Sequence, residues 1–160
     1  MPSEPRDYLI FRLGPQEFAL PAGIVQEVRT AQDLTAANGY PGPACGEVRI
    51  RGNAVPVFSL HRRLGVAVES PPTPRWIVVL ALRDRFARPY TAALGAESVS
   101  EVLSLAPAQF KPCDEAVHRA IVGRVRIKGR IKLILDPASL FDSHEQSHLT
   151  RLSPLLSAAV

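Results

Sequence analysis

The chain has 160 residues, 46% of them hydrophobic, and sixteen arginines and three lysines set against fifteen acids give a net charge of +4. That length holds one compact unit or two very small ones with a real core, and the hydrophobic fraction excludes wholesale disorder. Fifteen prolines, about 9% where about 5% is usual, argue against long uninterrupted helices.

Taken in chain order, the pattern is one of short strands. Met1 to Asp7 is polar and proline-rich and reads as no leader. Tyr8–Leu13 ends at the turn pair Gly14-Pro15, and Glu17–Leu20 resumes extended character, which predicts a hairpin. Ile24–Arg29 is β-branched and partly alternating, and Ala31–Cys45, with Asn38-Gly39 and Pro41-Gly42-Pro43, reads as a loop. Val48–Arg51 alternates strictly and turns through Gly52-Asn53 into Ala54–Phe58. Ser59–Gly65 has the look of one or two helical turns, Ser59 capping the start and Gly65 ending it. Glu69–Pro74 is the clearest linker. Beyond it lie the strand Trp76–Leu82, a charged turn at Arg83–Arg85, extended chain over Tyr90–Leu94, and the strand Val99–Leu103. Ala106–Ala116 is a loop, and Val125–Lys128, Gly129 and Ile131–Leu135 form a second hairpin, closed by Asp136-Pro137 as helix cap and first turn. In the tail, residues 142–160, Asp142 or Ser143 caps a short helix that Pro154 should end, with Leu149 and Leu152 on one face.

An internal repeat emerges from these pieces. Gly46–Gly52 matches Gly123–Gly129 at an offset of 77, and Val57, Phe58 and Ser59 fall on Ile134, Leu135 and Asp136 at the same offset. Val25–Val28 faces Val99–Val102 at an offset of 74, and Leu9–Phe11 resembles Val78–Leu80. Two copies of a small strand-rich unit follow, half 1 over about 8–68 and half 2 over about 76–141, with the first strand free to pair with either. A unit of five short strands buries its apolar face by curling or by packing on its twin. The expected fold is therefore all-β: two small, partly open barrels side by side, with short helices, a groove at their contact and exposed strand edges.

The function classes narrow by exclusion. The longest apolar run, Trp76–Leu82, is far short of the ~20 residues that span a bilayer, so no membrane insertion and a cytoplasmic location are expected. The basic residues are scattered and only 6% of residues are aromatic, a poor platform for nucleic acid, which stays only as a rival reading of the pI of about 9.5. Cys45 and Cys113 lie far apart without a CxxC pair, and His144 and His148 lack a third ligand, so neither metal nor other cofactor is expected. No GxSxG, phosphate loop or HExxH occurs, and no two acids are spaced as an acid–base pair, which points to a non-enzyme. Gly46, Gly52, Gly123 and Gly129 read as turn or bulge positions that need positive φ, placing Arg51 and Lys128 at the barrel rims. From there Arg51 can reach a carboxylate on another strand, with Glu27 the candidate and two unconnected solvated charges the alternative.

The run Gly46-x-x-x-Ile50-Arg51-Gly52-x-x-Val55-Pro56-Val57-x-x-Leu60-x-x-Arg63-Leu64-Gly65 resembles the central signature of the CheW family of bacterial chemotaxis coupling proteins. Phe11-x-Leu13-Gly14-x-x-x-Phe18-Ala19-Leu20, Val25-x-Glu27-Val28, Val99–Leu103, Gly123 and Leu133–Asp136 with Leu140 extend the resemblance over about residues 8–141. It implies two intertwined five-stranded SH3-like barrels. It also implies an adaptor, in the cytoplasm at receptor arrays, that bridges the regulatory domain of a CheA-type histidine kinase to the cytoplasmic tips of methyl-accepting receptors. By position, Glu27 and Arg51 then lie near the receptor-facing surface, bordered by Val25, Gly46 and Gly52. Arg49, Ser59, Ala93 and Ala96-Glu97 depart from the family pattern, and the turn from Arg83 to Pro89 is longer than usual. A dedicated pathway, such as pilus motility or surface sensing, is the alternative these departures raise. The tail, residues 142–160, follows the last matched position, Leu140, and is expected not to hold the fold together.

Overall fold

A computed structural model describes residues 4–36, 44–64, 74–113 and 118–158, with side chains left out for Arg62 and for 152–158. The turn signals at Asn38-Gly39 and Pro41-Gly42-Pro43, the helix stop at Gly65, most of the Glu69–Pro74 linker and the Leu152 side chain lie outside the described residues.

Ten strands form in chain order: β1 (Arg6–Leu13), β2 (Gln16–Pro21), β3 (Val25–Thr30), β4 (Ala44–Ile50), β5 (Asn53–Ser59), β6 (Trp76–Arg83), β7 (Pro89–Ala96), β8 (Ser98–Leu105), β9 (Ile121–Ile127) and β10 (Arg130–Leu135). Two helices join them, α1 (Leu60–Leu64) and α2 (Ser143–Ala158). Every expected strand is present, and Tyr90–Leu94, the faintest of them, lies within the full eight-residue β7.

The two five-stranded sheets do not follow the two halves of the chain. One runs β8-β1-β2-β10-β9 and the other β3-β6-β7-β5-β4. Each half therefore lends its opening hairpin to the other: β1–β2 completes the sheet of β8–β10, and β6–β7 completes that of β3–β5. The repeat is nevertheless exact in topology, since β2 joins β10 in parallel as β7 joins β5. The two units are interlocked, as the family resemblance implies, and the first strand, left free to join either half, pairs with the second.

The exchanged hairpins are buried on both faces. Alternate residues of a strand face opposite sides. Leu9, Phe11 and Leu13 on β1 meet Val78, Leu80 and Leu82 on β6 in one core between the sheets. Their neighbours Tyr8 and Ile10 enter a second core with Leu105, Val125 and Ile134. Ile77 and Val79 enter a third with Val48, Ile50, Val55 and Val57. Strands buried on both faces need unbroken apolar runs, which is why Tyr8–Phe11 and Ile77–Leu80 do not alternate.

The tail also differs from expectation. Asp142 Oδ1 accepts from the Glu145 N–H at 2.8 Å while Glu145 Oε1 accepts from the Asp142 N–H at 3.0 Å, a reciprocal cap that starts α2. The helix then runs through Pro154 to Ala158. Leu149 is buried in the inter-sheet core, and the Glu145 carboxylate takes both arms of the Arg63 guanidinium, one at 2.9 Å. The core thus reaches past Phe141, and the start of the tail is part of the fold.

Candidate functional site

The site is built around the edges of the β3-β6-β7-β5-β4 sheet. A bulge sets Val25 and Glu27 against adjacent residues of β6, Leu80 and Val79. Val25, Glu27 and Arg29 are all half-buried, with exposed residues between them. Val25 packs against the inter-sheet core. Glu27 and Arg29, two apart on one face, pair at 3.0 Å, and Arg29 also donates to the Arg49 carbonyl of β4 at 3.1 Å. Because β3 and β4 are the two outer strands, this guanidinium ties one edge of the sheet to the other.

The opposite wall is the β4–β5 turn. Ile50 pairs with Asn53, so Arg51 and Gly52 form a two-residue loop with φ of 52° and 83°. Positive φ at both positions is the geometry that matches the twist of a hairpin, and glycine carries the second without strain. Lys128 and Gly129 repeat it at 51° and 79°. The turn is centred one residue earlier than the Gly52-Asn53 expected from the sequence.

Gly46 and Gly123 lie beside the bulges of their hairpins, as expected, but not for positive φ. Neither has positive φ. A Cβ on Gly46 would lie 2.6 Å from Leu34 Cδ1 and 2.7 Å from the Thr35 carbonyl oxygen. Beside it Thr35 and Glu47 exchange backbone hydrogen bonds of 2.9 Å, which lays the segment after β3 across β4. The Lys111–Arg124 bridge repeats this beside Gly123, where a Cβ would come 3.2 Å from the Lys111 oxygen. Close approach of backbone to backbone is the reason for glycine at both.

Gln26, Glu27, Arg29, Ile50 and Arg51 line an open depression of about 340 Å³. Glu27 and Arg51 thus share one surface, as expected, but no ion pair joins them among the described residues. The strand places Arg29 nearer, and the Glu27 carboxylate is already engaged. Arg29 is the residue the sequence reading missed, although its two-residue spacing from Glu27 on a strand was the available signal. Gly46 and Gly52 do not line the depression: Gly52 sits in the turn beside Arg51, and Gly46 packs against Leu34 and Thr35 farther along β4. With Glu27 neutralised, Arg51 leaves the surface with an unmatched positive charge.

Among the described residues no three His, Cys, Asp or Glu side chains come together to hold a metal, and no helix is long and apolar enough to cross a membrane. The sequence signature, the ten strands and their interlocked order call for a family comparison, and a CheW-like domain model matches residues 7–145. The chain belongs to the CheW family. It is similar to the chemotaxis protein CheW of Rhizobium meliloti, 26% identical over 88% of this chain and 90% of that protein. It is also similar to the probable chemotaxis protein CheW of Rhizobium etli, 29% identical over 88% and 90%. The crystal structure of the scaffolding protein TtCheW from Thermoanaerobacter tengcongensis shares the fold at a TM-score of 0.70, with 20% identity over 88% of this chain and 95% of that one. The fold is the CheW arrangement of two SH3-like units, and the protein is a non-enzymatic adaptor of the chemotaxis scaffold family.

Proposed function

We propose that this adaptor couples methyl-accepting receptors to a CheA-type histidine kinase in the cytoplasm, at receptor arrays, with the Glu27–Arg51 depression facing the receptor tip. Membership of the CheW family is the observation that carries the reading. The depression adds a physical rationale. Its apolar floor at Ile50 and its charged rim suit a helical tip that buries one apolar residue and offers a carboxylate to Arg51. Val25 and Gly46 support that surface from β3 and β4, and Gly52 fixes the turn that presents Arg51. Kinase contact is assigned to other surfaces of the two units. Charge reversal separates the two: Arg51→Glu should lower affinity for a receptor-tip fragment by about tenfold or more, as for an arginine anchor, and leave kinase binding unchanged. Equal receptor affinity in the variant and the parent would remove Arg51 from the interface.

A further inference from the structure

We propose that the β6–β7 turn, Arg83 to Pro89, is a second docking knob, which takes an acidic protein segment carrying an apolar residue beside its carboxylates. It uses none of the residues of the Glu27–Arg51 depression and does not rest on the assignment of that surface.

The turn presents a large apolar side chain where folding gives no reason for one. Phe86 is 63% exposed, the most exposed large hydrophobic residue among those described. The Arg85 and Arg88 guanidinium carbons lie 4.8 Å and 5.1 Å from its ring centroid, so the ring is engaged by charge and its rim is left for contact. Arg83 completes the cluster and donates to the Ala87 carbonyl at 2.8 Å.

The turn is built to hold this arrangement still. Asp84 points inward, its side chain 3% exposed. Its Oδ1 accepts from the N–H groups of Phe86 and Arg88, each at 2.9 Å. Its Oδ2 accepts from Arg88 Nε at 2.9 Å and from the Thr150 hydroxyl of α2 at 3.3 Å. Ala87 takes φ of 63°, a conformation that L-residues rarely adopt, and its N–H closes the turn on the Asp84 carbonyl at 2.9 Å. Desolvation alone would raise the Asp84 carboxyl; the hydrogen bonds from Arg88 and Phe86 outweigh it and hold it below the ordinary range. The single acid of the turn is thus consumed inside it. Arg88 pairs with it at 2.9 Å while reaching over the exposed ring, which leaves Arg83 and Arg85 as the excess positive charge of the turn, and among the described residues Arg85 has no carboxylate partner.

Charge and shape decide the occupant. Guanidinium groups in a fixed frame match carboxylates in paired hydrogen bonds, and arginine and aromatic side chains are the usual anchors of protein interfaces. A base would need a free ring face to stack on, and here guanidinium groups engage the ring. A bilayer would need more apolar area than one phenylalanine. An acidic protein segment meets both the charge and the exposed rim.

The test is a titration of the full ¹⁵N-labelled chain, followed by amide NMR shifts. The probes are a synthetic peptide of repeating Glu-Glu-Leu, its Gln-Gln-Leu counterpart, phosphatidylglycerol vesicles and mixed-sequence single-stranded DNA. The Glu peptide should shift the amides of Arg83 to Arg88, and Arg85→Glu should weaken it by about tenfold or more. Phe86→Ser should weaken both the Glu peptide and any residual Gln-peptide binding, and Glu27→Gln should change neither. No shift at the turn, an equal response to the Gln peptide, or tighter binding of vesicles or DNA at the turn would overturn the proposal.

Discussion

Removing the Glu145 carboxylate should destabilise the protein more than any other single loss of charge. Arg63 and Glu145 are nearly buried, with side-chain exposures of 9% and 8%. The guanidinium also donates to the Leu140 carbonyl at 2.9 Å and lies 4.8 Å and 4.9 Å from the Phe58 and Phe141 ring centroids. In Glu145→Ala that cation keeps its aromatic neighbours but loses its counter-ion, which costs about 3–5 kcal/mol for a buried pair. The same variant removes the reciprocal cap of α2, so the upper part of the range applies. A chain of this size shifts about 2–4 °C per kcal/mol, so Tm should fall by roughly 8–20 °C in differential scanning calorimetry. The double variant Arg63→Met, Glu145→Leu buries no charge and should recover much of the loss. Ending the chain after Ser153 keeps Glu145, Leu149 and Thr150 and should leave Tm nearly unchanged. A Glu145→Ala protein within about 1 kcal/mol of the parent, or a double variant less stable than the single one, would refute the reasoning.

Three further outcomes follow from the geometry. The Tyr90 hydroxyl is buried and has no hydrogen-bond partner among the described residues, so Tyr90→Phe should stabilise by about 1–3 kcal/mol in urea unfolding. Burial, with Asp84, Glu145 and Asp136 adding repulsion, pushes the same group up to about 12 from 10.0. The unfolded chain therefore loses a proton first, so stability should fall as pH rises from 10 towards 12, and the fall should be smaller in Tyr90→Phe. Gly46→Ala drives a methyl group into the Thr35 carbonyl and should cost about 1–3 kcal/mol, more than Gly123→Ala at its looser contact; an equal cost at both would contradict the account. A double-mutant cycle on Glu27 and Arg29 should give about 0.2–1 kcal/mol, as for a part-exposed pair, and the cycle on Glu27 and Arg51 should give none.

Much of the fold was legible because strands announce themselves by period and by turn residues. The offset of 77 between Gly46–Gly52 and Gly123–Gly129 corresponds to matching hairpins with matching positive-φ loops. Residue pattern alone could not say which hairpin joins which sheet, since Tyr8–Phe11 and Ile77–Leu80 carry the same signal and suit either place. The resemblance to the family supplied the interlocking. The depression was half legible. Glu27 and Arg51 do meet on one surface, but the bulge in β3 and the nearness of β4 made Arg29 the partner of Glu27. The two bridge glycines do lie beside bulges, but close approach to Thr35 and Lys111 rather than positive φ is what requires them, and such a contact leaves no local mark in the sequence. The helix through Pro154 is not legible in the sequence, because proline reads as a helix stop.

The most direct test of the adaptor reading is a three-component binding measurement. The protein would be mixed with a receptor-tip fragment and the regulatory domain of the CheA-type kinase from the same genome, and complexes followed by analytical ultracentrifugation. One species containing all three is predicted, with Arg51→Glu leaving the protein–kinase complex and losing the receptor. Binding to neither partner would contradict coupling as the function of this chain.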